Sequence, residues 1–163
     1  MATTSALLSS ANASIDIYLQ VGDELKTVDS RLILAYYLLR MGRVNQAQDQ
    51  MHRHLPAFLR LANQEYLIDA AETYASLLAA TGTHEHSVRL LGAADATRER
   101  IGLPRLPRNE SELREELATA RAALPNDRWN SENQHGRSMT VEDALTHAHA
   151  APGHQDSDAG LPH

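Results

Sequence analysis

Residues 25–42 read LKTVDSRLILAYYLLRMG. Leu25, Val28, Leu32, Tyr36 and Leu39 recur at steps of three and four, the spacing that puts side chains on one face of an α-helix. Leu34, Tyr37, Leu38 and Met41 widen that face, so the helix is expected to be buried on two sides. Gly42 ends it, because glycine takes the left-handed conformation that closes a helix C-terminus. The same pattern returns forty residues on. Asp29 corresponds to Asp69, Ala35 to Ala75, Leu38 to Leu78 and Gly42 to Gly82, with Leu19 and Leu59 as a further pair. Val21, Leu61 and Ile101 form an apolar triplet, followed by Gly22, Ala62 and Gly102.

Working outward, Val44, Ala47, Met51, Leu55, Phe58 and Leu59 mark a helix over 44–61. Pro56 lies inside it, and an internal proline costs about 3 kcal/mol, which predicts a kink or break. Asn63 caps the next helix, whose apolar side holds Tyr66, Leu67, Ala70, Tyr74, Leu77 and Leu78. Gly82-Thr83 ends that helix and caps a fourth, running to Ile101. Helix–turn–helix units of this length predict an all-α, tetratricopeptide-like solenoid of antiparallel helix pairs over residues 1–102. Its helices are longer than those of the usual unit of about 34 residues. An ordinary bundle of equal helices is the alternative. A solenoid needs polar caps, and residues 103–150 read as C-terminal capping helices. After the connector GLPRLPRN (102–109), Asn109 with Glu112 reads as a capping box for a helix carrying Leu113, Leu117, Ala120 and Leu124. Pro125 opens a short helix around Trp129, and Thr140 with Asp143 begins one carrying Val141, Ala144, Leu145 and Ala148. Residues 151–163, APGHQDSDAGLPH, read as a disordered tail. At the other end, 6–21 reads as the second helix of a pair whose first is missing, so repeats upstream or another chain would cover it.

Composition agrees with helix. The 163 residues suit one domain or a piece of a repeat array. They include 23 Leu and 25 Ala, whereas aromatics are only 4%. Absence of cysteine excludes disulfide scaffolds, Cys-ligated metals and thiol nucleophiles. A net charge of −6 argues against broad electrostatic binding to nucleic acid. Of 15 basic residues only Lys26 is lysine, a bias common in proteins of GC-rich bacteria. The start MATTSALLSSANAS lacks a basic n-region, and the longest nearly apolar run, 32–39, is far short of a membrane span. A soluble, cytoplasmic protein is expected.

No chemistry stands out. The pairs His52/His54, His84/His86 and His147/His149 have a spacing of two, which turns the rings to opposite sides of a helix, so no metal is expected. Glu110, Glu112, Glu115 and Glu116 suit the first turns of a helix. Arg98, Arg100, Arg105 and Arg108 form the one local basic concentration and read as a solvated face plus connector, since no stacking aromatics accompany them. Phosphate-loop, dinucleotide, nucleophile-elbow and zinc-protease motifs are absent. No cofactor is expected and the chain reads as a non-enzyme. An enzymatic rival would rest on Glu115, Glu116 or His135. Tyr36, Tyr37 and Tyr74 lie on first helices, where aromatics either grip a partner segment or fill gaps between repeats. Leu7 and Leu19 mark the open N-terminal helix as a surface for self-association.

Residues 77–150 carry a resemblance. Arg89–Ala94 (RLLGAA), Glu99–Pro104 (ERIGLP), Ala120–Leu124 (ARAAL), a Trp129 helix, and Gly136, Arg137, Met139, Thr140, Glu142 and Ala144 follow in order. This series resembles the C-terminal tetratricopeptide-like repeats of large bacterial ATP-binding transcriptional regulators, LuxR-type and related. The resemblance implies a segment that receives an inducer or a partner protein. The ATPase and DNA-binding domains usual in such regulators have no counterpart in these residues. The expected function is a non-catalytic protein-interaction or regulatory module. Small-molecule inducer sensing and a self-associating adaptor are the alternatives.

Overall fold

The computed structural model describes residues 3–151. Five helices begin twenty residues apart: α1 Thr4–Val21, α2 Glu24–Arg40, α3 Val44–Leu61, α4 Gln64–Ala80 and α5 His84–Ile101. The recurring turn explains the period. Gly42 and Gly82 have φ of 73° and 85°, where an L side chain is strained. At each, the residue after the glycine donates its N–H back five positions: Arg43 to the Leu38 carbonyl and Thr83 to the Leu78 carbonyl, both at 2.9 Å. The same bond follows Gly22 and Gly102. The remaining position of the series, between Gly42 and Gly82, is Ala62, and there the chain leaves the helix extended (φ −81°, ψ 149°) while Asn63 caps α4.

Four shorter helices follow: α6 Pro107–Glu116, α7 Ala118–Ala123, α8 Asn126–Arg137 and α9 Val141–Ala150. The described residues contain no strand. Neighbours in sequence pack as antiparallel partners, α1 on α2, α2 on α3 and α4 on α5. α2 also runs beside α4. α8 lies along α5, and α9 sits against α5, α4 and α3. Met51, Leu55, Phe58, Ile68, Leu78 and Leu145 form the buried centre, each at most 1% exposed. The helices of 103–150 therefore share the core of the hairpins instead of forming a separate layer. The expected tail lies, from residue 152 on, outside the described residues.

Two local expectations are corrected, and of the kink or break expected at Pro56 the break does not occur. α3 runs through Pro56 without a break. Pro56 is on the exposed side, so water can take the His52 carbonyl that loses its helical donor. Asn109 does not start a helix. α6 begins earlier, with Leu106 as its cap and Pro107 at the first position, where a missing N–H costs nothing. The helix expected to carry Leu113 through Leu124 is divided at Leu117 (φ −87°, ψ 0°) into α6 and α7. The Thr140 cap forms as expected, its hydroxyl accepting from the Asp143 N–H at 3.0 Å.

His54 on α3 is half-buried, and its buried Nε2 has no hydrogen-bond partner. Burial, reinforced by Arg31 and Arg53, holds its pKa down at about 4. Between its ordinary value of 6.5 and 4, the unfolded chain takes a proton that the native state refuses. Stability is thus lost as pH falls through this window. Urea unfolding at pH 7 and pH 5 is expected to show His54→Leu losing about 1 kcal/mol less than the unmodified chain, after allowance for partial exposure. Equal losses in both would show that His54 is solvated.

Candidate functional site

The side-by-side placement of α2 and α4 leaves a groove between the first helices of two successive hairpins, and α6 closes its far side. The result is a cleft of about 430 Å³. Its helical walls follow from register. Asp29 and Asp69, forty residues apart, take equivalent places on α2 and α4 and both line it. Tyr36 and Tyr37 come from α2 and Tyr66 from α4, and Glu112 and Glu116 from α6. The floor is apolar, including Leu32, Phe58 and Leu113.

Polar bonds hold α6 in place. Arg40 Nη1 reaches Glu116 Oε1 at 3.0 Å, and the Ser76 hydroxyl donates to Glu116 Oε2 at 2.7 Å. The Tyr36 hydroxyl donates to Glu112 Oε2 at 3.4 Å, and its ring centroid is 5.6 Å from that of Tyr37. Phe58 and Tyr66 meet edge to face at 6.4 Å. Burial raises the pKa of Tyr36, and the Glu116 carboxylate adds to the shift.

Among the described residues no cationic side chain lines the cleft, but arginines outside that lining pair with Glu116, Glu72 and Asp69. Asp29 forms no ion pair among the described residues, and burial raises its pKa. Asp69 meets Arg98 Nη2 at 3.3 Å, yet its pKa is also raised, by burial first and then by Glu72. Of the two, only Asp29 lacks an ion pair among the described residues, while Asp69 keeps Arg98 and is 75% exposed in its side chain. Chemically the cleft suits a cation with an apolar stem, such as a lysine or arginine side chain lying against tyrosine rings.

Comparison with protein-family models, curated proteins and solved structures returns no match.

The five residues singled out in the sequence fall in three places. Tyr36 and Tyr37 line the cleft. Tyr74 is 1% exposed, and its hydroxyl donates to the Ala148 carbonyl at 3.3 Å. It fills the space between α4 and α9 and is removed from any surface. Burial pushes its pKa up to about 12. Leu7 is half-buried beside Tyr37, around a small cavity between α1 and α2. Leu19 is 55% exposed, together with Ile17 and Val21 at the end of α1.

The arginine concentration is corrected most. Arg98 and Arg105 are only 11% and 9% exposed in their side chains and turn inward. Glu72 sits between them, bonded by Arg98 Nε and by Arg105 Nη2, both at 2.7 Å. Arg105 Nη2 also reaches Asp95 at 2.7 Å, and its Nη1 reaches Glu110 at 2.5 Å. This cluster ties the connector after α5 to α4, α5 and α6. No local signal announces it, because Glu72, Asp95 and Glu110 are scattered through the chain. Of the residues named for an enzymatic rival, Glu116 lines the cleft, while Glu115 and His135 are exposed and do not line it. His52 and His149 stack across α3 and α9, with ring centroids 4.3 Å apart. Among the described residues no group of three or more metal-ligating side chains forms, and no helix is long and apolar enough to cross a membrane.

Proposed function

We propose that the chain is a non-catalytic interaction module of tetratricopeptide-like helix pairs, and that the cleft between α2, α4 and α6 receives a basic segment of a partner protein. The observation that carries this reading is the pair of repeat-equivalent aspartates, Asp29 and Asp69, held with raised pKa values beside tyrosines. Asp29, half-buried and without an ion pair among the described residues, costs the free protein some stability, whereas Asp69, 75% exposed in its side chain and paired with Arg98, adds little. The native state keeps the Asp29 proton more tightly than the unfolded chain does, so stability is lost as pH rises through the raised pKa and stays lower at neutral pH. A bound cation would reverse that. The twenty-residue helix spacing and the α2–α4 adjacency support the solenoid architecture, in which first helices line the binding face.

Asp29→Asn with Asp69→Asn is therefore expected to raise the melting temperature at pH 7 while weakening partner binding at least tenfold. The readout is selection of a random peptide library on both proteins, followed by calorimetry with the enriched peptides. Lysine or arginine flanking an aromatic or leucine residue should dominate on the unmodified chain only. Enrichment of acidic or uncharged peptides, equal on both, would refute the cleft as a cation site.

The resemblance of residues 77–150 supports a place for this module in the C-terminal part of a bacterial transcriptional regulator, in the cytoplasm. The in-frame genomic sequence upstream of Met1 tests this. Further helical repeats and a phosphate-binding loop there would support it, whereas a stop codon would leave a self-associating adaptor, covered at the exposed end of α1, as the better reading.

A further inference from the structure

A second cavity lies on the other side of α6, away from the cleft. It has a volume of about 550 Å³ and opens between α5, α6, α7 and α8. Its walls are chiefly apolar: Leu91 from α5, Leu113 from α6, Leu117 at the α6–α7 junction, Ala118 and Ala122 from α7, and Trp129 from α8. This apolar lining suits a small organic ligand.

Five charged residues border it, and they are not equivalent. Arg105 binds Asp95 and Glu110 within the cluster described above, one cation between two carboxylates, and Arg114 beside Glu110 offsets the remaining negative charge. Arg114 is 79% exposed and stands 3.5 Å from Glu110, which already serves Arg105. Arg121 has no carboxylate partner among the described residues. The Asn126 side-chain oxygen accepts from its Nη2, and its guanidinium lies over the Trp129 ring at 5.0 Å. A planar cation thus stands at the exposed rim of an apolar cavity, against its aromatic wall and with no carboxylate partner among the described residues.

We propose that this cavity binds a small apolar carboxylate, its chain or ring against Leu91, Leu113, Leu117 and Trp129 and its anionic end on Arg121. A guanidinium pairs with a carboxylate through two parallel N–H donors, and Arg121 presents that group at the cavity. A neutral apolar molecule would leave the cation unpaired, and an apolar cation would be repelled by it. The site is distinct from the acidic cleft in position and in the sign of its charge, so neither assignment depends on the other.

Trp129 is the only tryptophan, so its fluorescence reports occupancy directly. The probes are decanoate, decanol and decyltrimethylammonium, all below their aggregation concentrations, with calorimetry as a second readout. Decanoate is expected to bind saturably at one site, to shift Trp129 emission to shorter wavelength, and to bind at least tenfold more tightly than decanol. Decyltrimethylammonium should show no saturable binding. Arg121→Gln is expected to weaken decanoate at least tenfold while leaving decanol unchanged. Ala122→Phe, which fills the cavity from an exposed position on α7, should abolish both, with circular dichroism confirming that both variants remain helical. Equal affinity for decanoate and decanol, indifference to Arg121→Gln, or the absence of any saturable decanoate binding would each overturn the proposal.

Discussion

Replacing Gly136 with alanine is expected to cost about 3 kcal/mol and to loosen α8 from α5. Gly136 and Gly92 are both buried where α5 and α8 cross. A Cβ on Gly136 would run into the Arg89 carbonyl oxygen and approach the Arg89 Cα and carbonyl carbon to 2.7 Å. A Cβ on Gly92 would meet the Asn133 carbonyl oxygen and come within 3.1 Å of the Arg137 nitrogen. These neighbours are backbone, so no side-chain rotation can make room, and the helices themselves must separate. Separation would also strain the pair that Arg89 makes with Glu132, a carboxylate only 3% exposed. The hydrogen bond from Arg89 holds Glu132 below its ordinary pKa, so this support is present above pH 4.5 and is lost as pH falls through the lowered value. Urea unfolding followed by Trp129 fluorescence measures the effect where it arises, since Trp129 is on α8. Gly42→Ala is the control. It has a positive φ but open space around its Cβ position, and about 1 kcal/mol is expected from backbone conformation alone. If Gly136→Ala costs no more than Gly42→Ala, the close crossing is absent in solution.

Arg105→Met is expected to destabilise the protein by about 3 kcal/mol at pH 7. The methionine keeps the stem that packs at the connector and removes the charge. Glu72, Asp95 and Glu110 would then face one another around an empty centre, with Arg98 left to serve Glu72 alone. Desolvated carboxylates without their cation are among the costliest groups in a protein interior. Exposure of Glu110 at 44% lets water relieve part of the penalty, which keeps the figure below the top of the range for buried pairs. The sign of the pH dependence follows. Hydrogen bonding from Arg105 holds Glu110 below its ordinary pKa, and losing it raises that value. The deficit of Arg105→Met should therefore shrink as pH falls toward 4, because protonation removes the uncompensated charge. Arg105→Lys should recover only part of the loss, since one ammonium cannot place planar donors on three carboxylates. Chemical unfolding at pH 7 and pH 4.5 tests both statements; a variant within about 0.5 kcal/mol of the unmodified chain would make the cluster energetically irrelevant.

Both effects are non-local, and that separates what the chain announces from what folding creates. The Gly92 crossing joins segments more than forty residues apart in the sequence. Read along the chain, Gly92 is an unfavourable residue inside a helix, and Gly136 reads as a residue near a helix end. Neither reading contains the other helix. Arg105 likewise reads as part of a solvated connector, because its partners lie on α4, α5 and α6 and share no sequence neighbourhood. The cleft is an intermediate case. The Asp29/Asp69 correspondence and the tyrosine positions on first helices are visible as repeat register, but their convergence requires α2 beside α4 and α6 across them. Tyr74 shares the helical pattern of Tyr36 and differs only in being covered by α9.

The sequence by itself determined the helical class, the starts and ends of α2 to α5 to within a residue or so, and the caps at Asn63 and Thr140. Those features depend on interactions within a few residues: apolar steps of three and four, a glycine able to take positive φ, a side-chain oxygen reaching the next turn's N–H. Tertiary structure alone decided which arginines are buried, where glycine is irreplaceable, which tyrosine is core and which faces a cleft, and that α6 is set between two cavities of unlike character. These depend on the distance between groups remote in sequence, and that distance exists only once the helices have packed.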